Sequence, residues 1–313
     1  HTEPYSFSDK FIQIGLPPRS VYPMFISLRL KHLILPVILA ICIISAITIC
    51  IFVDSKPASL AASTSSDKEI KLPILMYHGI RKSTSAQNKY VISPDEFESD
   101  LKYIKENGYE TIVVADLLEY FDNGKALPKK PIMITFDDGC LNNYTYAFPL
   151  LKKYNAKMIL SPIGKCIDEY SKNGDKNPAY AQADWNTLRE MLDSGLVEIQ
   201  NHTYNMHASI GRVGASQKIG ESDEEYRKNL SEDLKKFNER MKAELNITPT
   251  AFTYPYGAIS KNSPDIIKEL GFRASFDCSE KINHIKSEAD LHELHRFIRP
   301  HNKSSAEILS KIE

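Results

Sequence analysis

Ile134-Thr135-Phe136-Asp137-Asp138-Gly139 puts two adjacent carboxylates at the end of an apolar run. Pro131 to Phe136 reads as a buried strand and Asp-Asp-Gly as a turn, so both acids are expected where that strand ends. In α/β folds catalytic groups collect at that edge. Further along the chain comes His202-Thr203-Tyr204-Asn205-Met206-His207. A carboxylate with two imidazoles suits a borderline metal such as zinc, and three protein ligands with one open position mark a catalytic site over a closed structural one. Residues five apart on a helix point about 140° away from each other, so His202 and His207 cannot share a helical face. They need a loop, which the strand-like Val197 to Gln200 followed by Asn201 supplies.

Outward from these two stretches, strand and helix alternate. Leu72 to Tyr77 is a short apolar strand, and Ser93-Pro94-Asp95-Glu96 is a capping box with proline at the first helical position. Phe97, Leu101 and Ile104 then recur at helical spacing until Gly108. After Phe136 come a helix around Ala147 to Tyr154 and a strand at Met158 to Leu160. Asp184 caps a helix carrying Trp185, Leu188 and Leu192, which Gly195 ends. Ser222 with Glu225 opens a long helix whose stripe, Tyr226, Leu230, Leu234, Phe237, Met241 and Leu245, reads as core packing. Ala251 to Tyr254 is another strand, Ser263-Pro264 starts a helix ended by Gly271, and Phe297 to Arg299 precedes a capping box at Ser304 and Glu307. This pattern predicts a parallel sheet, open or closed into a barrel.

The chain has 313 residues, 42% of them hydrophobic and 25% charged, enough for an ordinary globular core. With 39 basic against 40 acidic side chains its net charge is -1, so it lacks the electrostatic footprint of a nucleic-acid binder. No protein partner is implied. Leu33 to Val53 is an uncharged apolar run long enough to cross the roughly 30 Å hydrocarbon core of a bilayer. Lys10, Arg19, Arg29 and Lys31 precede it, whereas Asp54 and Lys56 cancel after it, so the positive-inside rule puts residues 1–32 in the cytoplasm and everything after Val53 outside. Ser59, Ala61 and Ala62 leave signal cleavage as the alternative to an anchor. Residues 1–23, ahead of Met24, are read as upstream sequence and given no function. Residues 54–71, rich in Ser, Ala and Lys, form a flexible linker, and 72–313 a single outer domain. Cys42 and Cys50 fall in the apolar run. The outer Cys140, Cys166 and Cys278 match neither a disulfide framework nor a zinc knuckle.

Taken together, Thr-Phe-Asp-Asp-Gly, His-Thr-x-x-x-His and Thr253-Tyr254-Pro255-Tyr256-Gly257 resemble the polysaccharide deacetylase family (NodB homology, carbohydrate esterase family 4) from Leu72 to about Arg299. The resemblance implies a deformed (β/α) TIM-like barrel of the NodB type, here preceded by one transmembrane helix. It also implies metal-dependent removal of N-acetyl groups from N-acetylglucosamine polymers. On that likeness Asp137 is the catalytic base, Asp138, His202 and His207 are the metal ligands, and the Tyr256 backbone N–H helps hold the oxyanion. The cofactor is a divalent metal, zinc first, with cobalt or nickel as alternatives. The five-residue histidine step and Leu75-Met76-Tyr77-His78-Gly79 are similar to the branch that acts on poly-N-acetylglucosamine of biofilm matrix, in which an early histidine is a proposed general acid.

His78 and His301 are the candidates for that acid, and His78 is favoured because it follows a strand. His292-Glu293-Leu294-His295 is no zincin motif, its histidines being three apart. The family commonly has arginine where Thr253 stands, and Arg296 or Arg299 is the candidate replacement. It also has an aspartate with a downstream tryptophan, where this chain offers Asp277 and has Trp185 elsewhere. Tyr204, Tyr254 and Tyr256 fit sugar stacking and core packing equally. The leading expectation is a membrane-tethered, extracellular poly-N-acetylglucosamine deacetylase. The alternatives are a peptidoglycan deacetylase and a non-catalytic carbohydrate-binding module on the same fold.

Overall fold

The computed structural model describes residues 69–311. The N-terminal tail, the apolar run 33–53 and residues 54–68 of the linker lie outside the described residues. Among the described residues no helix is long and apolar enough to cross a membrane. They fall within one compact unit, Asp67–Glu313.

The strands are β1 (Ile70–Leu72), β2 (Ile74–Tyr77), β3 (Gly79–Ile80), β4 (Val91–Ile92), β5 (Glu110–Thr111), β6 (Pro131–Asp138), β7 (Met158–Pro162), β8 (Val197–Ile199), β9 (Ala251–Thr253), β10 (Ala274–Phe276), β11 (Asn283–Ile285) and β12 (Phe297–Ile298). Between them lie helices α1 (Pro94–Glu106), α2 (Val114–Asn123), α3 (Phe148–Tyr154), α4 (Gly164–Asn173), α5 (Trp185–Asp193), α6 (Asp223–Leu245), α7 (Ser263–Glu269) and α8 (Ser305–Leu309). The single strand expected from Leu72 to Tyr77 is split at Pro73, which has no N–H to give a ladder. As a result β1 pairs antiparallel with β11, while β2 enters the main sheet.

That sheet is parallel, in the order β12-β2-β6-β7-β8, with β5 beside the start of β6. β9 and β10 form a separate parallel pair. Single parallel bridges, Asn201 to Phe252 and Phe276 to Leu294, link this pair to the segment after β8 and to the one leading into β12.

Strand β6 is buried on both faces, the usual reason a parallel strand reads as one apolar run. Its alternation sorts the core. Ile132, Ile134 and Phe136 join Phe97, Leu101, Phe148 and Leu151 of α1 and α3, whereas Met133 packs with Ile74, Ile159, Ala251 and Ala274. Thr135 and Asp137 follow Met133 in that period of two. The α6 stripe is buried as its spacing predicts: Tyr226, Leu230 and Leu234 pack with Phe252 and Ile266, and Phe237, Met241 and Leu245 join the larger cluster. The capping boxes at Ser93, Ser222 and Ser304 all form. His78, Asp137, Asp138, His202, Tyr256 and Asp277 thus all lie at or just beyond the C-terminal ends of parallel strands.

Candidate active site

Asp137, at the end of β6, is held by a guanidinium from the far end of the chain. The terminal nitrogens of Arg296 donate to its two oxygens at 2.7 and 2.9 Å, with Arg296 0% exposed and Asp137 4%. Arg296 also donates from Nε to the Asp277 carbonyl at 2.8 Å, and Asp277 in turn pairs with His295 at 2.9 Å. Burial would raise the Asp137 carboxyl, but Arg296 first, and His202 and His78 after it, bring it well below the usual carboxylate range. A planar fork on a carboxylate fixes orientation as well as charge.

The next residue stands apart. Asp138 has φ of 71°, which ends the extended run so that neighbouring carboxylates serve one cavity instead of opposite sheet faces. Burial, eased by the His78 imidazole and reinforced by the charge of Asp137, pushes Asp138 up to about 6. Its Oδ1 is buried and has no hydrogen-bond partner among the described residues.

His202 follows the strand end, as expected, and His207 closes the loop. The His202 ring donates from Nδ1 to the Thr253 carbonyl at 2.8 Å, which leaves Nε2 with its lone pair toward Asp138 at 3.7 Å. His207 Nε2 lies 3.3 Å from the same oxygen. Burial lowers both imidazoles, His202 to about 3, so each is neutral at ordinary pH. Thr203 between them has φ of 70°, a conformation a β-branched residue adopts only when its surroundings impose it. Those surroundings are explicit. Thr203 N donates to Asn201 Oδ1 at 2.8 Å, and Asn201 is anchored on Asn238 of α6. The backbone N–H groups of Tyr204 and Asn205 donate to the two oxygens of Asp233 at 2.7 and 2.8 Å. Gly164 and Lys165 at the start of α4 donate to the Thr203 and Tyr204 carbonyls. A Cβ on Gly164 would meet Phe237 at 2.6 Å, so only glycine lets these helices close on the loop.

Asp138, His202 and His207 therefore offer one carboxylate oxygen and two imidazole nitrogens, all within 4.8 Å of one another. The unpartnered Asp138 Oδ1 and the tautomer fixed at His202 are what a divalent cation requires, so the residues fit the metal that the sequence motif implies.

A cavity of about 1000 Å³ opens over this cluster, lined among others by Asp137, Asp138, His202, His207, His78 and Tyr256. His78 packs edge-on to Tyr90, ring centroids 5.0 Å apart, and its Nδ1 is buried without a partner. His301 is not part of this lining: it pairs with Glu96 at 2.9 Å, at the start of α1. Arg299 likewise turns to Asp100 at 2.7 Å, so of the two candidate arginines it is Arg296 that holds Asp137. Asp137 thus has an arginine partner although the residue at 253 is threonine, and the missing arginine was what motivated the non-catalytic alternative. Tyr256, φ 59°, is 52% exposed with its ring 4.7 Å from that of His207. Tyr254 is core, and the Tyr204 hydroxyl is tied to Asp168 at 3.1 Å. Among the described residues Cys140, Cys166 and Cys278 are unpaired thiols. Sequence reasoning missed Asp233, Asn201 and the Thr253 carbonyl, which no local motif marks.

Residues 124–275 match the family described as Polysaccharide deacetylase; His78 and Arg296 lie beyond that match. The chain is 25% identical over 258 residues to a poly-beta-1,6-N-acetyl-D-glucosamine N-deacetylase of Escherichia coli strain K12, covering 76% of this chain and 38% of that protein. It thus spans well under half the length of that relative. To a Staphylococcus epidermidis protein of the same name it is 26% identical over 274 residues, 82% of this chain and 90% of that one. Among solved structures, a de-N-acetylase from Aggregatibacter actinomycetemcomitans matches with a TM-score of 0.67 at 25% identity, over 77% of this chain and 99% of that one.

Proposed function

The chain carries a polysaccharide deacetylase domain with the NodB-type fold, and from that premise we propose that it hydrolyses N-acetyl groups of an N-acetylglucosamine polymer, poly-N-acetylglucosamine first, with a divalent metal. The observation that carries the reading is the buried, unpartnered Asp138 Oδ1 facing two histidine nitrogens, directly beside an Asp137 clamped by Arg296. We read the sheet as the deformed barrel, because single bridges at Asn201 and Leu294 join the β9-β10 pair to the strands on either side.

Asp138, His202 and His207 would hold the cation, zinc by preference, which when bound supplies a water of pKa near about 7 and polarises a carbonyl. The chain's own groups do the rest. Asp137, kept ionised by Arg296, takes the proton of the attacking water, and the Arg296 fork keeps its oxygens aimed. The Tyr256 backbone N–H donates to the acetyl oxygen as it gains charge, a contribution of about 3 kcal/mol for such a donor. His78, in the cavity, protonates the departing amine. The Tyr90 edge orients it. We further propose that residues 33–53 tether the domain outside the cell membrane, which protease shaving of intact cells would check.

The deciding experiment is a zinc or cobalt titration of metal-stripped protein, reading acetate release from N-acetylglucosamine oligomers. Activity should rise with metal to one equivalent and be abolished in His202→Ala and Asp137→Asn. Absence of metal uptake, or saturating metal with no acetate from any oligomer, would end the reading. Comparing matrix polymer with peptidoglycan then identifies the substrate.

A further inference from the structure

The cavity reaches beyond the reacting centre, and there its lining carries more cations than carboxylates. Arg81, Lys89 and Lys303 contribute to it, whereas among the described residues Glu280 is the one acidic residue there besides Asp137 and Asp138. None of the three cations forms an ion pair with a described carboxylate. Lys89 sits over the Tyr90 ring at 5.4 Å, so the half-exposed aromatic face nearest it already carries a cation and is poorly placed to welcome another.

Deacetylation changes the charge of the polymer. An acetamide and water become an ammonium group, retained by the sugar, and an acetate anion that leaves. Each turnover therefore adds one positive charge to a chain that began neutral. We propose that Arg81, Lys89 and Lys303 determine specificity by disfavouring a deacetylated unit next to the one being hydrolysed. The enzyme thus turns away from its own product and spaces its cuts along the polymer. The same charges draw acetate outward from the site. This inference rests on the deacetylase reading above. Because the cations are solvent-accessible, their influence is screened over roughly 10 Å at 0.1 M salt and must fade as salt rises.

The test compares two N-acetylglucosamine oligomers of equal length: one fully acetylated, the other with glucosamine on both sides of a single acetylated unit. Acetate release per acetyl group is read at low and high salt in the zinc-loaded protein. The unaltered protein should favour the first oligomer by about fivefold at low salt and by less than about twofold near 0.5 M, the loss expected for solvent-exposed charges. Lys89→Glu combined with Lys303→Glu should abolish or reverse the low-salt preference; the salt dependence of the unaltered protein stands as a second readout should that variant not fold. Equal turnover of both oligomers at low salt, or a preference indifferent to salt and to charge reversal, overturns the proposal. No acetate from either oligomer overturns the deacetylase reading itself and takes the inference with it.

Discussion

Replacing Arg296 with methionine removes the charge but keeps much of the volume, and its consequences follow from the geometry of the pair. Both partners are buried, and Asp137 loses two bonds of 2.7 and 2.9 Å while remaining enclosed. Breaking one side of such a pair costs about 3–5 kcal/mol. For a domain of this size that lowers Tm by roughly 6–20 °C. The sign with pH is the sharper check. In the unaltered protein Asp137 is held below its ordinary value, so its contribution is present above the unfolded pKa and lost as pH falls through the folded one. In Arg296→Met burial dominates and raises the carboxyl, so the folded state is penalised increasingly as pH rises. The stability gap between the two proteins, measured by urea unfolding of metal-free samples, should widen from pH 4.5 to pH 7.5. Adding Asp137→Leu to Arg296→Met should restore most of the stability, since no lone charge then remains buried. A loss under about 1 kcal/mol, or an equal loss at both pH values, would refute the argument that Arg296 holds Asp137 ionised.

Metal affinity, followed by calorimetry, should weaken as pH falls through about 6, with roughly half a proton released per ion bound at that pH and close to one well below it. Asp138 is the group pushed up to about 6, whereas burial keeps His202 and His207 neutral, so the carboxylate sets the competition. His78→Gln should lower kcat about 10²–10⁴-fold, while His301→Ala, which loses a pairing with Glu96, should leave kcat near that of the unaltered protein. Asp233→Ala, freeing the Tyr204 and Asn205 N–H groups, should weaken metal binding about 10–100-fold with a smaller change in kcat at saturating metal. Gly164→Ala should destabilise the domain in a thermal scan, because its methyl group would lie 2.6 Å from Phe237.

The strand at Pro131, the turn after it and the need for a loop between His202 and His207 could be read directly because each is a local matter of period and turn chemistry. The capping boxes were legible for the same reason. Helices α2 and α4 were not foreseen: neither N-cap, Val113 or Ile163, is a capping residue, although Gly124 and Gly174 end them in the left-handed conformation. Arg296 and Arg299 were indistinguishable in the sequence. What separates them is the pairing of β12 with β2, Phe297 opposite Leu75 and Ile298 opposite Met76, which leaves Arg296 on Asp137 and Arg299 on Asp100 of α1. Asp233 gave no signal, because a carboxylate on a charged helix looks like a solvated one until a loop packs against it.

The clamp between Asp137 and Arg296 joins residues 159 positions apart. Such a link sets an order of events. A ribosome delivers the acid first and must finish nearly the whole domain before the base that neutralises it appears. Until then Asp137 has no companion for its charge, and the interior cannot close over it without penalty. Competence therefore arrives late and all at once, so a truncated or half-made chain should neither seal its centre nor attack any polymer it meets.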